Sequence, residues 1–109
     1  MIDLIQNNIN AIAAVCKQHH VKELFLFGSA ARRNDFTDNS DIDILVNFEH
    51  LPLDTNEQVS YIVENRDMLQ ERLKEIFKRE IDLIEENKIS NKYLRYFINK
   101  DKKLLYEVS

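Results

Sequence analysis

Residues 21–29, Val21-Lys22-Glu23-Leu24-Phe25-Leu26-Phe27-Gly28-Ser29, join an apolar run to the only glycine of a 109-residue chain. The run from Val21 to Phe27 reads as a short buried strand, rich in side chains that suit an enclosed, pleated surface. A strand that ends in Gly-Ser and turns into a helix brings backbone N–H groups close to a bound phosphate. Glycine has no Cβ to obstruct the approach, and helix N-termini favour anions. A short helix is expected over residues 30–34, with Ser29 as its N-cap. A dozen residues after the glycine, Ile42, Ile44 and Val46 alternate with Asp41, Asp43 and Leu45. This period of two predicts a second strand with one apolar face in the core and both carboxylates on the other.

Upstream, Ile5, Ile9, Ile12 and Cys16 recur at three- and four-residue steps from Asp3 to about Lys17, one stripe of an amphipathic helix. Cys16 on that stripe reads as a small core residue. His19-His20 closes the helix, where an imidazolium would suit the negative end of the dipole. With His50 far away and no second cysteine, the histidines do not form a zinc-site pattern.

Downstream, residues 35–40 form a polar turn and Leu51-Pro52-Leu53 breaks the chain. Asp54-Thr55-Asn56-Glu57 has the form of a capping box opening a long helix to about Lys78. Val59, Ile62, Val63, Leu69, Leu73, Ile76 and Phe77 give that helix its buried face. Residues 80–84 alternate again, with Ile81 and Leu83 on one side and Asp82 on the other, a third strand with a third inward-aimed acid. Ser90 is expected to cap a last helix containing Tyr93, Leu94, Phe97 and Ile98, and residues 104–108 add a terminal strand or arm. Tyr61, Tyr93, Tyr96 and Tyr106 read as core or interface aromatics. The expected fold is α+β: a small mixed sheet of three to four strands packed against helices, in the order α-β-α-β-α-β-α(-β).

A chain of this length is expected to form one domain that buries about two-thirds of its unfolded surface. Hydrophobic residues at 44% and charged residues at 31% are the balance of an ordinary globular protein, not a disordered or membrane chain. Apolar runs are too short to span a bilayer, and Met1-Ile2-Asp3-Leu4 lacks the pattern of a secretory signal, so no membrane partner and a cytoplasmic location are expected. The net charge of −4 argues against bulk nucleic-acid binding. A local basic run (Lys88, Lys92, Arg95, Lys100, Lys102 and Lys103, with Asp101 as counter-charge) reads either as a solvated face or as a partner-docking surface.

The chemistry lies in the acids. Side chains two apart on a strand share a face about 6.7 Å apart at the backbone, so Asp41 and Asp43 can converge on one cation. A neighbouring strand lies roughly 4.8 Å away, which lets Asp82 join them if the second and third strands pair. Three such acids repel one another unless a divalent ion neutralises them, and oxygen-only ligands select Mg²⁺ or Mn²⁺ over zinc. Opposite them, the Gly28-Ser29 backbone and the Arg32 guanidinium are placed to hold phosphate oxygens. With no second glycine, the P-loop and the dinucleotide fingerprint are both excluded.

Taken together, a strand, Gly28-Ser29, Arg32, a polar turn, Ser40-Asp41-Ile42-Asp43 and a later Asp82 resemble the nucleotidyltransferase superfamily related to DNA polymerase beta. The likeness is to its minimal nucleotidyltransferases, which consist of the catalytic core alone, and it extends over nearly the whole chain. The resemblance implies that Gly28 and Ser29 bind the triphosphate of ATP, with Arg32 and Ser40 beside them. It implies that Asp41 and Asp43 ligate two Mg²⁺ ions, with Mn²⁺ an alternative, and that Asp82 completes the metal site and helps activate the acceptor hydroxyl. Many relatives have glycine where this chain has Arg33, so the turn here must be made otherwise, by Asn34 in a left-handed conformation for example. The function implied is that of a type VII-like antitoxin, transferring AMP from ATP to a tyrosine of a cognate HEPN-class ribonuclease toxin encoded beside it. Two alternatives stay open: a non-catalytic antitoxin or binding subunit that inhibits by docking, and a nucleotidyltransferase acting on a small molecule or RNA.

Overall fold

Helix α1 (Ile2–Gln18) leads into strand β1 (Val21–Phe27), and a 3-10 turn (Gly28–Ala30) follows. Next come β2 (Ile42–Phe48), α2 (Thr55–Phe77) and β3 (Ile81–Glu85), then a second 3-10 turn (Glu86–Lys88), α3 (Lys92–Asp101) and β4 (Lys103–Glu107). The computed structural model describes residues 2–32, 41–49 and 55–108. Its strands form one mixed sheet in the order β3-β2-β1-β4. β1 pairs antiparallel with β2 and with β4, whereas β2 and β3 run parallel. A parallel pair needs a long crossover, and α2 supplies it. The expected α+β architecture is borne out.

Helices α1 and α2 cover one face of the sheet. Ile12 and Cys16 from α1, with Leu69, Leu73 and Phe77 from α2, close over the inward side chains of β1, β2 and β3. Cys16 is fully buried, and burial pushes its thiol up to about 12. The opposite face carries a smaller cluster of Phe27, Leu45, Ile89 and Ile98. Leu45, which alternation placed among the carboxylates, is therefore buried as well, because α3 crosses that face and seats Ile98 on it.

Several side chains expected in the core lie outside it. Ile9 is 42% exposed and Val63 is 52% exposed. The 23 residues of α2 extend about 35 Å, whereas the five of β3 cover about 17 Å, so the N-terminal half of the helix runs past the strand it packs on. In α3, Tyr93, Leu94 and Phe97 are exposed and only Ile98 is buried. Asp54 and the side chains of Thr55, Asn56, Glu57, Val59 and Ile62 lie outside what is described, and with them the expected capping box.

Helix ends also differ from expectation. Asn91, not Ser90, caps α3: its Oδ1 accepts from Tyr93 N–H at 2.9 Å and Leu94 N–H at 3.2 Å. Both residue types cap well, so the choice is one of register. Ser29 lies within the 3-10 turn instead of capping a helix, and the capping position is Phe27, which has no side-chain bond to give. Residues 33 and 34 lie outside the described residues. Lys78, at φ 55°, ends α2 in the left-handed conformation and donates its N–H to Lys74 O at 2.7 Å.

His19 is buried where α1 ends. Asn65 Nδ2 donates to His19 O at 2.7 Å, and His19 Nδ1 lies 2.8 Å from Asn65 Oδ1. Because the amide nitrogen is the donor, Oδ1 must accept, and His19 carries its proton on Nδ1. The pair joins α1 to α2. No helix among the described residues is long and apolar enough to cross a membrane.

Candidate active site

The site forms where β1 ends against β2. Phe27 is opposite Asp43 in the antiparallel register, and Gly28 follows at φ +67°. A Cβ built on Gly28 would overlap Asp43 Oδ2 and come within 3.2 Å of Asp43 Cγ. Two requirements therefore converge on glycine, the left-handed backbone and the close approach of a carboxylate. The turn is closed by Gly28 O, which accepts from Ala31 N–H at 3.0 Å and Arg32 N–H at 3.2 Å.

Parallel pairing places Asp82 of β3 directly beside Asp43 of β2. Asp41 is exposed and immediately precedes β2, whose first N–H, from Ile42, donates to Glu80 O at 3.0 Å. Asp82, read as aimed inward, is exposed, because β3 is the edge strand. Asp43 is half-buried. Burial raises its pKa, the charges of Asp82 and Asp41 raise it further, and Arg32 offsets part of the rise. Asp41, Asp82 and Arg32, all singled out in the sequence, thus act on Asp43 in space. Ser29 is half-buried in the turn, and Ser40 lies outside the described residues.

Arg32 has an acidic partner that sequence reasoning did not assign. Its guanidinium donates to Asp101 Oδ2 at 2.8 Å, joining the segment after the glycine turn to the last residue of α3. The available signal was Asp101 standing alone among Lys100, Lys102 and Lys103.

Among the described residues, no group of three or more His, Cys, Asp or Glu is drawn close enough together to hold a metal ion. Asp41, Asp43 and Asp82 share an electric field without forming a closed cage. Their chemistry nevertheless fits a hard divalent cation: the donors are all oxygen, and burial together with the charges of Asp82 and Asp41 disfavours the Asp43 anion, which such an ion would stabilise.

Residues 10–109 match the family described as Polymerase beta, Nucleotidyltransferase. A homologue from Methanocaldococcus jannaschii named protein adenylyltransferase is 33% identical over 85 residues, 78% of this chain and 76% of its own. Among solved structures, a minimal nucleotidyltransferase superposes with a TM-score of 0.70 at 21% identity, covering 93% of this chain and 92% of that one. A chain of a toxin–antitoxin structure with AMP-PNP gives 0.66 at 23% identity, covering 94% and 75%. A chain of the tri-AMPylated Shewanella oneidensis HEPN toxin in complex with its MNT antitoxin gives 0.61 at 22% identity, covering 95% and 73%. At these identities the structural likeness is one of fold.

Proposed function

The chain belongs to the polymerase beta nucleotidyltransferase family, and on that premise we propose that it transfers AMP from ATP to a tyrosine of a cognate HEPN-class toxin in the cytoplasm, neutralising it. The observation that supports this reading is the close approach of Gly28 to Asp43, with Asp82 in register beside it: a glycine turn lies against two neighbouring carboxylates.

The phenolic oxygen bonds to the α-phosphorus, the bond from that phosphorus to the bridging oxygen breaks, and pyrophosphate leaves with the electron pair. Gly28 and Ser29 hold the triphosphate through their backbone, and Arg32, with Ser40, binds phosphate oxygens. Asp82 takes up the phenolic proton. Asp41, Asp43 and Asp82 would hold the magnesium, two ions with Mn²⁺ able to replace them, and the metal would neutralise charge growing on the phosphate oxygens. Attached AMP adds negative charge and bulk where a ribonuclease must bind RNA.

The test is to incubate the protein with Mg²⁺, each nucleoside triphosphate in turn and the product of the adjacent gene, and then to weigh both proteins. The expected result is a partner heavier by AMP with ATP, and unmodified with Asp43→Asn. An unmodified partner that stays bound and inhibited would assign the docking reading, for which exposed Tyr93, Tyr96 and Phe97 on α3 offer a surface.

A further inference from the structure

A groove of about 360 Å³ runs along the outer edge of β3, lined by Val63 and Arg66 of α2, by Asp82, Ile84 and Glu85 of β3, and by Lys88 of the following turn. Its place follows from the strand order. Gly28 directly follows β1, Asp43 is on β2 and Asp82 is beside it on the edge strand, so the glycine turn, the two acids and the groove lie in sequence across the sheet. Displacement at phosphorus puts the entering and leaving oxygens roughly in line. With the leaving phosphates at the glycine turn, the entering hydroxyl must come from the side of Asp82, where the groove opens.

The walls indicate what can enter. Two carbonyls of β3 already accept from α2: Arg66 Nη2 donates to Leu83 O at 2.8 Å and Gln70 Nε2 to Ile81 O at 2.8 Å. These two side chains of α2 cover part of the edge against an added strand, which favours entry of a side chain over a backbone. Val63, 52% exposed, and half-buried Ile84 provide apolar surface. Glu85, 5% exposed, pairs at 3.4 Å with Arg66 Nε through Oε1 and at 3.4 Å with Lys88 Nζ through Oε2. Oε1 is buried and accepts no hydrogen bond, so its charge is met by the Arg66 ion pair alone.

We propose that this groove is the acceptor seat and takes a phenolic side chain, with the ring against Val63 and Ile84 and the hydroxyl toward Asp82. Its role as acceptor seat rests on the proposed transfer; its capacity to hold a phenol does not.

Val63→Trp fills the groove from an exposed helix position, and circular dichroism verifies that the fold is kept. In ¹⁵N-labelled protein, N-acetyl-tyrosinamide is expected to shift the amides of Val63, Arg66 and Ile84, and to do so no longer in Val63→Trp. In the transfer assay with the adjacent-gene toxin, the variant should raise KM for the toxin about tenfold or more, leaving kcat and the Kd for AMP-PNP within about twofold. Phenol shifts confined to other residues, or an unchanged KM, would overturn the seat. A protein that binds the phenol in the groove yet modifies no toxin would keep the seat and overturn the transfer.

Discussion

Gly28 and Asp43 meet at the end of the β1–β2 pair so closely that no β-carbon fits between them, and Gly28 has the backbone of a left-handed residue. Gly28→Ala therefore combines two penalties. The left-handed conformation alone costs about 1–2 kcal/mol for a residue with a side chain, and the displaced carboxylate adds a functional loss. Misplacing a catalytic group by an ångström lowers rate by about 10²-fold. Nucleotide transfer should fall by that order, and the thermal midpoint should drop by about 4–8 °C per kcal/mol for a domain of this size. A Gly28→Ala protein with both values unchanged would remove the contact from the mechanism.

Asp43 should make the metal-free protein less stable as pH rises. Its folded pKa is raised above the ordinary value of 3.8 by burial and by Asp82 and Asp41. The folded state therefore holds the proton more tightly than the unfolded one, so the stability from protonated Asp43 is complete below 3.8 and is lost as pH rises through the raised value. The difference in unfolding free energy between wild type and Asp43→Asn, measured by urea titration across that window, should shift in favour of the variant with rising pH. At neutral pH Mg²⁺ should stabilise the wild type more than Asp43→Asn, as expected of a ligand that binds only the folded form.

What was legible in the sequence was whatever repeats locally. The two-residue period of Ile42, Ile44 and Val46 and the acids beside it gave β2, and the same period around Asp82 gave β3. Gly28 was legible because one residue type answers both a backbone and a packing demand. Pairings distant in sequence were not legible: Arg32 with Asp101 is 69 residues apart, and His19 with Asn65 is 46. Nor was the burial of Leu45, because nothing in β2 announces that α3 will place Ile98 over the carboxylate face.

Arg32 and Asp101 set up a competition that binding can measure. The pair is partly exposed, so Asp101→Ala should change stability by less than about 1 kcal/mol. On the proposed role of Arg32 at the phosphates, it also removes the carboxylate with which a triphosphate would compete for the guanidinium. Since about 1.4 kcal/mol is a tenfold change in affinity, AMP-PNP should bind Asp101→Ala a few-fold more tightly. Arg32→Ala should weaken it by about tenfold or more, as expected for a hydrogen bond to a charged group. Because Arg32 also lowers the Asp43 pKa, that variant should move the pH window of Asp43 upward. Calorimetric titration with AMP-PNP settles both signs, and equal affinity in all three proteins would exclude Arg32 from the phosphate site.

Arg66 covers part of the sheet edge and pairs with a buried acid at once. It donates to Leu83 O and pairs with Glu85, whose remaining cation is Lys88. Arg66→Ala leaves the carbonyl without that donor and Glu85 half-neutralised. A buried polar group that loses its partner costs about 1–3 kcal/mol, and more when charged. Urea unfolding should show a loss at or above that range, whereas Asp67→Ala, which removes only an exposed 3.5 Å pair with Arg66, should show almost none. The uncovered edge also offers an unpaired carbonyl to a second molecule, so Arg66→Ala should self-associate more with rising concentration in light scattering. Arg66→Lys separates the two roles: one ammonium can satisfy Glu85 or the carbonyl, not both in the fork geometry of the guanidinium, and should recover about half of the lost stability. Full recovery by lysine would mean that charge alone, and not closure of the edge, is what Arg66 provides.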